Sequence, residues 1–199
     1  LGTVGFARDV SRNKRAEEGM LLRNAGLAGL ARGEPVAGVL ELLALSLEAE
    51  LPGWRCAVLL ADEDGRLLRC VAAPNLPEAY QSTLAGIAMA ADGPPCCRAA
   101  ALRQRVCVDD IFAADMPLAM RELARQHNLA ACVAEPLLGP DGSLYGSLVA
   151  YRQTPGQAGD EELALLAQLS QLNALVIGHQ RTGERLRGSR DTFRGLFDS

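Results

Sequence analysis

One lysine, Lys14, stands against nineteen arginines, and aromatic residues make up only 4% of the 199-residue chain. Histidine is limited to His127 and His179, and tryptophan to Trp54. No basic stripe with interleaved aromatics exists, which excludes a nucleic-acid surface. No apolar run approaches the ~20 residues that a membrane span needs, and no signal peptide is recognisable. No membrane contact is therefore expected. Phosphate loop, nucleophile elbow and zinc-protease motifs are all missing, which points away from catalysis. The two histidines have no metal-ligand spacing with the cysteines, so no metal site is expected. Arginine excess with abundant Ala and Leu reads as the base bias of a GC-rich bacterium. Without an initiating Met, the chain reads as a piece of a longer protein.

What is present is ordinary globular composition: 49% hydrophobic and 22% charged residues. The length suits one domain with flanking segments. Residues 21–178 carry eleven Arg and eighteen Asp or Glu, a net −7, while residues 1–20 carry +1 and residues 179–199 carry +2. Of six cysteines, Cys56, Cys70, Cys107 and Cys132 lie in apolar runs, where free Cys acts as a small buried hydrophobe. Cys96 and Cys97 are adjacent and cannot bridge each other without strain. A reduced, cytoplasmic setting is the expectation.

Patterning predicts a short strand at residues 3–7, then a helix from about 12 to 31. Gly33 stops it, and Pro35 suits the first turn of a second helix at about 35–50. Strands at 56–61 and 66–72 flank the turn Asp62-Glu63-Asp64-Gly65. A short helix at 78–83, an irregular stretch at 84–95, a small helix at 96–103 and a strand at 105–108 come next. A helix then ends near Gln126, with Asn128 suited to a left-handed conformation. Strands at 130–138 and 144–151 flank Gly139-Pro140-Asp141-Gly142. Pro136 suits an edge or a bulge. Asp160 can cap a long helix reaching Arg187 or beyond. Its Leu165, Leu169, Leu172 and Val176 are spaced as a coiled-coil seam, predicting a homodimer. The fold class is α+β, an antiparallel sheet flanked by helices, with long N- and C-terminal helices.

Three stretches carry a family resemblance: Leu51-Pro52-Gly53-Trp54 before the first strand; Cys96 with Ala99 and Ala100 before Val106-Cys107-Val108-Asp109-Asp110-Ile111; and Cys132-Val133-Ala134-Glu135-Pro136-Leu137 before Asp141-Gly142. In this order they resemble a GAF domain of bacterial sensory-box proteins, over residues 19–178. Residues 1–18 resemble the end of a PAS domain and its exit helix. Residues 179–199 resemble a linker helix and the start of another PAS domain. The resemblance implies a GAF-like fold and a sensory or regulatory module without catalytic residues. It implies adjacent PAS and output domains in the parent chain, a sensor histidine kinase or a cyclic-di-GMP cyclase or phosphodiesterase. Signals would pass through a bound ligand, through dimer helices, or both.

Tyr80, Met89, Cys96, Cys97, Arg98, Asp109, Cys132 and Tyr151 are the candidate ligand-binding residues, drawn from strand ends and helix starts around the presumed cavity. No cofactor is indicated. The family often has Cys-Gly at the start of the small helix, where this chain has Cys96-Cys97-Arg98, so a ligand approaching that backbone meets Cβ and charge in place of Gly and a small polar residue. The Cys-His pair of bilin-attaching relatives is missing. Two alternatives stay open. One is a thiol-based redox sensor, or an enzyme like the GAF reductases of free methionine sulfoxide, because a helix N-terminus activates a thiol. Those reductases use a further cysteine in the loop that corresponds to 115–121, which has none here. The other is a structural spacer with a collapsed pocket. Asp109 and Asp110 read equally as a solvated strand end.

Overall fold

The computed structural model describes the backbone of residues 2–197 and the side chains of residues 11–183. Six strands are present: β1 (Trp54–Ala61), β2 (Leu67–Ala72), β3 (Ala85–Ala88), β4 (Val106–Val108), β5 (Ala131–Leu138) and β6 (Leu144–Arg152). They pair antiparallel in the order β3-β2-β1-β6-β5-β4. The central strands read as unbroken apolar runs because helices cover both faces. Ala57, Leu59, Cys132, Ala134, Val149 and Tyr151 point to one side. Cys56, Val58, Val133, Leu148 and Ala150 point to the other. This is the α+β architecture that the pattern predicts.

One face packs against α3 (Glu78–Thr83), α4 (Pro95–Leu102) and α5 (Leu118–Gln126). The other meets α2 (Val36–Glu50) and α6 (Asp160–Phe197), with α1 (Gly2–Ala31) folded back along α2. Val39, Leu40, Leu43 and Leu47 form the buried stripe of α2. Close approach of α1 to α2 depends on glycine. A Cβ at Gly19 would overlap the Glu50 side chain that pairs with Arg23, while one at Gly26 would make an ordinary contact, 3.4 Å from the Val39 carbonyl. α1 and α6 lie side by side in the same direction. Arg12 pairs with Glu161 at 2.7 Å; grooves then join Arg23 to Leu172 and Leu175, and Leu30 to His179 and Gln180.

Five expectations need correction. Residues 3–7 continue α1 as helix rather than forming a strand. Helix propagation from the downstream turns outweighs the β preference of Thr3, Val4 and Phe6. Residues 84–95 include β3, a short edge strand with mostly exposed side chains, so no apolar alternation marks it. Asp160 is the first residue of α6 rather than its cap. Gly159 precedes it and donates its N–H to Glu162 Oε2 at 2.8 Å, half of a capping box. Pro35 stands at the N-cap position of α2 rather than within its first turn. Cys107 is exposed, because β4 is an edge strand and Cys107 shares with Val133 the face of α2 and α6, at the edge those helices leave uncovered.

Other details agree. Gly65 and Asn128 take positive φ, 64° and 55°. Pro136 lies where β5 has outrun β4, whose pairing stops at Ala134, so no ladder bond is lost on that side. Gly146 is required by proximity: a Cβ there would stand 1.9 Å from the Leu59 carbonyl oxygen.

Candidate functional site

Five of the eight candidate residues converge, and they converge into core. Tyr80 comes from α3, Cys96 and Cys97 from the first turn of α4, Cys132 from β5 and Tyr151 from β6. All are buried in one continuous apolar cluster. The Tyr80 and Tyr151 rings meet edge to face, centroids 5.2 Å apart at 80°, a geometry that aromatic quadrupoles favour. Met89 is half-buried against the same cluster. Arg98 is half-buried and close enough to oppose, electrostatically, the upward shift of Cys132.

Asp109 does not belong to this set. Its side chain is exposed at the end of β4, and only its carbonyl is engaged, accepting the Gly156 N–H at 2.7 Å. The neighbouring Asp110 Oδ1 accepts the Phe112 N–H at 2.8 Å, a local turn bond. The pair is a strand end, because β4 stops before either carboxylate can turn inward.

Burial sets the electrostatics. It raises the pKa of Tyr80, Tyr151 and Cys132 above their ordinary values. Cys96 is raised first by its hydrogen bond to Cys97 and then by burial, and the same bond lowers Cys97. Cys97 is thus the more acidic of the two, yet neither has exposed surface for an oxidant or a disulfide to reach. The cluster consists of phenols and thiols, with no base set beside a nucleophile among the described residues. One feature is out of balance: Tyr80 Oη is buried and makes no well-formed hydrogen bond among the described residues, although Tyr151 is close enough to influence it.

Among the described residues no group of three His, Cys, Asp or Glu side chains is placed to hold a metal ion. No described helix is long and apolar enough to cross a membrane. The expected seam on α6 divides. Leu169 is 2% exposed and Val176 0%, because both face the chain's own sheet. Leu165 and Leu172 are half-buried, and Leu175 is 64% exposed on the outer side with Met20 of α1 at 62%. On α6 the residues left toward solvent are therefore Leu165, Leu172 and Leu175, the first two of them members of the predicted seam.

A second cluster, on the opposite end of the sheet from the β-turns, has no counterpart in the sequence pattern. Trp54 Nε1 donates to Glu162 Oε1 at 3.1 Å, and the Arg152 guanidinium lies 5.5 Å above the Trp54 ring and 3.7 Å from Glu162 Oε2. Its members are separated by up to 108 residues. The only local hint is that the chain's single tryptophan precedes a strand.

Comparison with known proteins agrees with this architecture. The GAF domain family profile matches residues 36–177. A curated protein described as a methyl sulfide methyltransferase-associated sensor, from Methanosarcina acetivorans, is 31% identical over 195 residues, 98% of this chain. The chain spans about a fifth (20%) of that relative's length. The GAF domain of a phosphoenolpyruvate-protein phosphotransferase from Coxiella burnetii superposes with a TM-score of 0.68 at 17% identity, covering 85% of this chain and 98% of that one. A domain described as part of a two-component sensor histidine kinase from Sinorhizobium meliloti gives 0.62 at 24% identity, covering 76% and 97%. With a family match across most of its length and the matching order of sheet and helices, this chain belongs to the GAF domain family.

Proposed function

We propose that this chain is a sensory or regulatory module of a multidomain signalling protein, and that it relays conformation between its terminal helices as a dimer without doing chemistry. The output would be a histidine kinase or a cyclic-di-GMP enzyme, and the flanking segments would lead to PAS-like domains. One observation carries the reading: α1 and α6 run parallel, with a continuous seam between them that stays open to solvent. The α1 residues that line its grooves are Arg12, Ala16, Arg23 and Leu30, and those of α6 include Leu165, Gln168, Leu172, Leu175 and His179. The α6 residues alternate at three and four, and the α1 residues recur at four and seven, the spacing of helices that pack at shallow angles. Met20 and Leu175, each more than 60% exposed, are left for a second copy to cover as a four-helix bundle. The sensor relative, 31% identical over 195 residues, supports the signalling context.

Sedimentation of the chain at about 100 μM tests this reading. A dimer is expected, and Leu172→Arg with Leu175→Arg should give a folded monomer. A wild-type chain that stays monomeric at that concentration overturns it.

A second reading has its own observation. The unpaired Tyr80 hydroxyl favours a small polar ligand or a water admitted beside Cys96 and Cys132. Native mass spectrometry of purified protein should then retain an added mass that Tyr80→Phe loses.

A further inference from the structure

We infer that Arg152 and Glu162 form a latch that couples the segment 109–111, on the candidate-pocket side of the sheet, to the first turn of α6. This rests on the relay reading and assigns residues to it. Two hydrogen-bonded routes leave the pocket side and both end on Arg152. In the first, the Ile111 N–H donates to the Ala130 carbonyl at 2.8 Å, and the Ala130 N–H donates to the Arg152 carbonyl at 2.8 Å. In the second, the Gly156 N–H donates to the Asp109 carbonyl at 2.7 Å, and the Arg152 guanidinium donates to the Gly156 carbonyl. Ile111 is buried in the same cluster as Tyr80 and Cys96, so repacking there must move Ala130.

From Arg152 the connection continues into the helix. The guanidinium stacks over Trp54 and faces Glu162, whose two oxygens hold Trp54 Nε1 and the Gly159 N–H. Glu162 sits in the first turn of α6, and Gly159 is that helix's N-cap. The Arg152 and Glu162 side chains keep 14% and 30% of their exposure, so solvent screens their interaction less than it screens a surface pair. One planar guanidinium thus meets the Gly156 carbonyl, the Trp54 ring and the Glu162 carboxylate, so a shift of its backbone is felt at all three contacts. Arg105, just before β4, also reaches this turn, through a longer 3.3 Å bond to the Leu163 carbonyl.

Hydrogen exchange on the full chain tests the coupling. Ile111→Val disturbs the pocket side without changing any polar group. In the otherwise native chain it should speed exchange at residues 163–168 by about fivefold, within the range of coupled neighbours. In an Arg152→Ala background the same substitution should change those amides less than about twofold, because the coupling energy has been removed. Glu162→Gln, which keeps its size and its acceptor for Trp54, serves as a second background in case Arg152→Ala fails to fold. Amides of residues 40–47 should respond to Ile111→Val equally in every background, which separates loss of coupling from general loosening. Equal effects at 163–168 in all backgrounds, or none in the otherwise native chain, overturn the latch. Leu165 and Gln168 lie on the proposed dimer face, so all backgrounds are compared at one protein concentration with the association state of each measured. A monomer with coupled exchange would refute the dimer and keep the latch, and a dimer with additive exchange would do the reverse.

Discussion

Replacing Tyr80 by Phe removes one oxygen and leaves the ring. The edge-to-face contact with Tyr151, 5.2 Å between centroids, should survive because it depends on the ring alone. What goes is a buried hydroxyl without a well-formed hydrogen bond. Such a group forfeits its water on folding and gains nothing in return, at a cost of about 1–3 kcal/mol. Part of that cost is relieved by the nearby Tyr151, so a gain of about 1–2 kcal/mol is expected for Tyr80→Phe. For a chain of this length that corresponds to a rise in Tm of about 2–8 °C. Urea titration is the better assay, since a shifted midpoint at constant m isolates stability. The phenol's pKa is raised, so it stays protonated in both folded and unfolded chains below pH 9, and the gain should not vary between pH 6 and 9. A loss of stability would refute the reasoning. It would mean that the hydroxyl is satisfied in solution by a water or ligand, which is the second functional reading.

Gly146→Ala should cost about 3 kcal/mol or more in the same titration, because the added methyl meets a central-strand carbonyl that cannot move aside. Native thiol labelling should modify Cys107 quickly and Cys70 slowly, while Cys56, Cys96, Cys97 and Cys132 react only on unfolding; fast labelling of Cys96 or Cys97 would restore the redox-sensor reading. Burial raises Glu135 above its ordinary pKa despite its pair with Arg105. A raised folded pKa favours the protonated carboxyl, so its contribution is fully present below the unfolded pKa and is lost as pH rises through the folded one. Glu135→Gln should therefore flatten the fall in stability as pH increases from about 4.5 upward, read from urea midpoints across pH.

The class of the fold and most of its elements were legible because the signals are local. Gly65 in its turn, Asn128 after its helix, and the apolar stripe of α2 each need only a few neighbouring residues to act. The errors share a cause as well. Residues 3–7 have strand-like composition but take their helical state from the turns on their C-terminal side. β3 is too exposed to alternate. Cys107 resembles its buried neighbours in sequence and differs only in lying on an edge. Five of the candidate ligand residues meet in one cluster and Asp109 lies outside it, since no pattern says where a three-residue strand stops.

By itself, the sequence determined which segments are apolar, where turns must fall and which elements alternate, since those depend on side-chain character and on backbone freedom at single residues. Tertiary structure alone decided which apolar side faces inward. It turned Leu169 and Val176 to the sheet and left Met20 and Leu175 outside, because the rotation of a helix is set by what it packs against. It also filled the presumed cavity with two tyrosines and three thiols, and joined Trp54, Arg152 and Glu162 across the chain. Contacts between residues so far apart arise from the sheet order, which no local pattern contains.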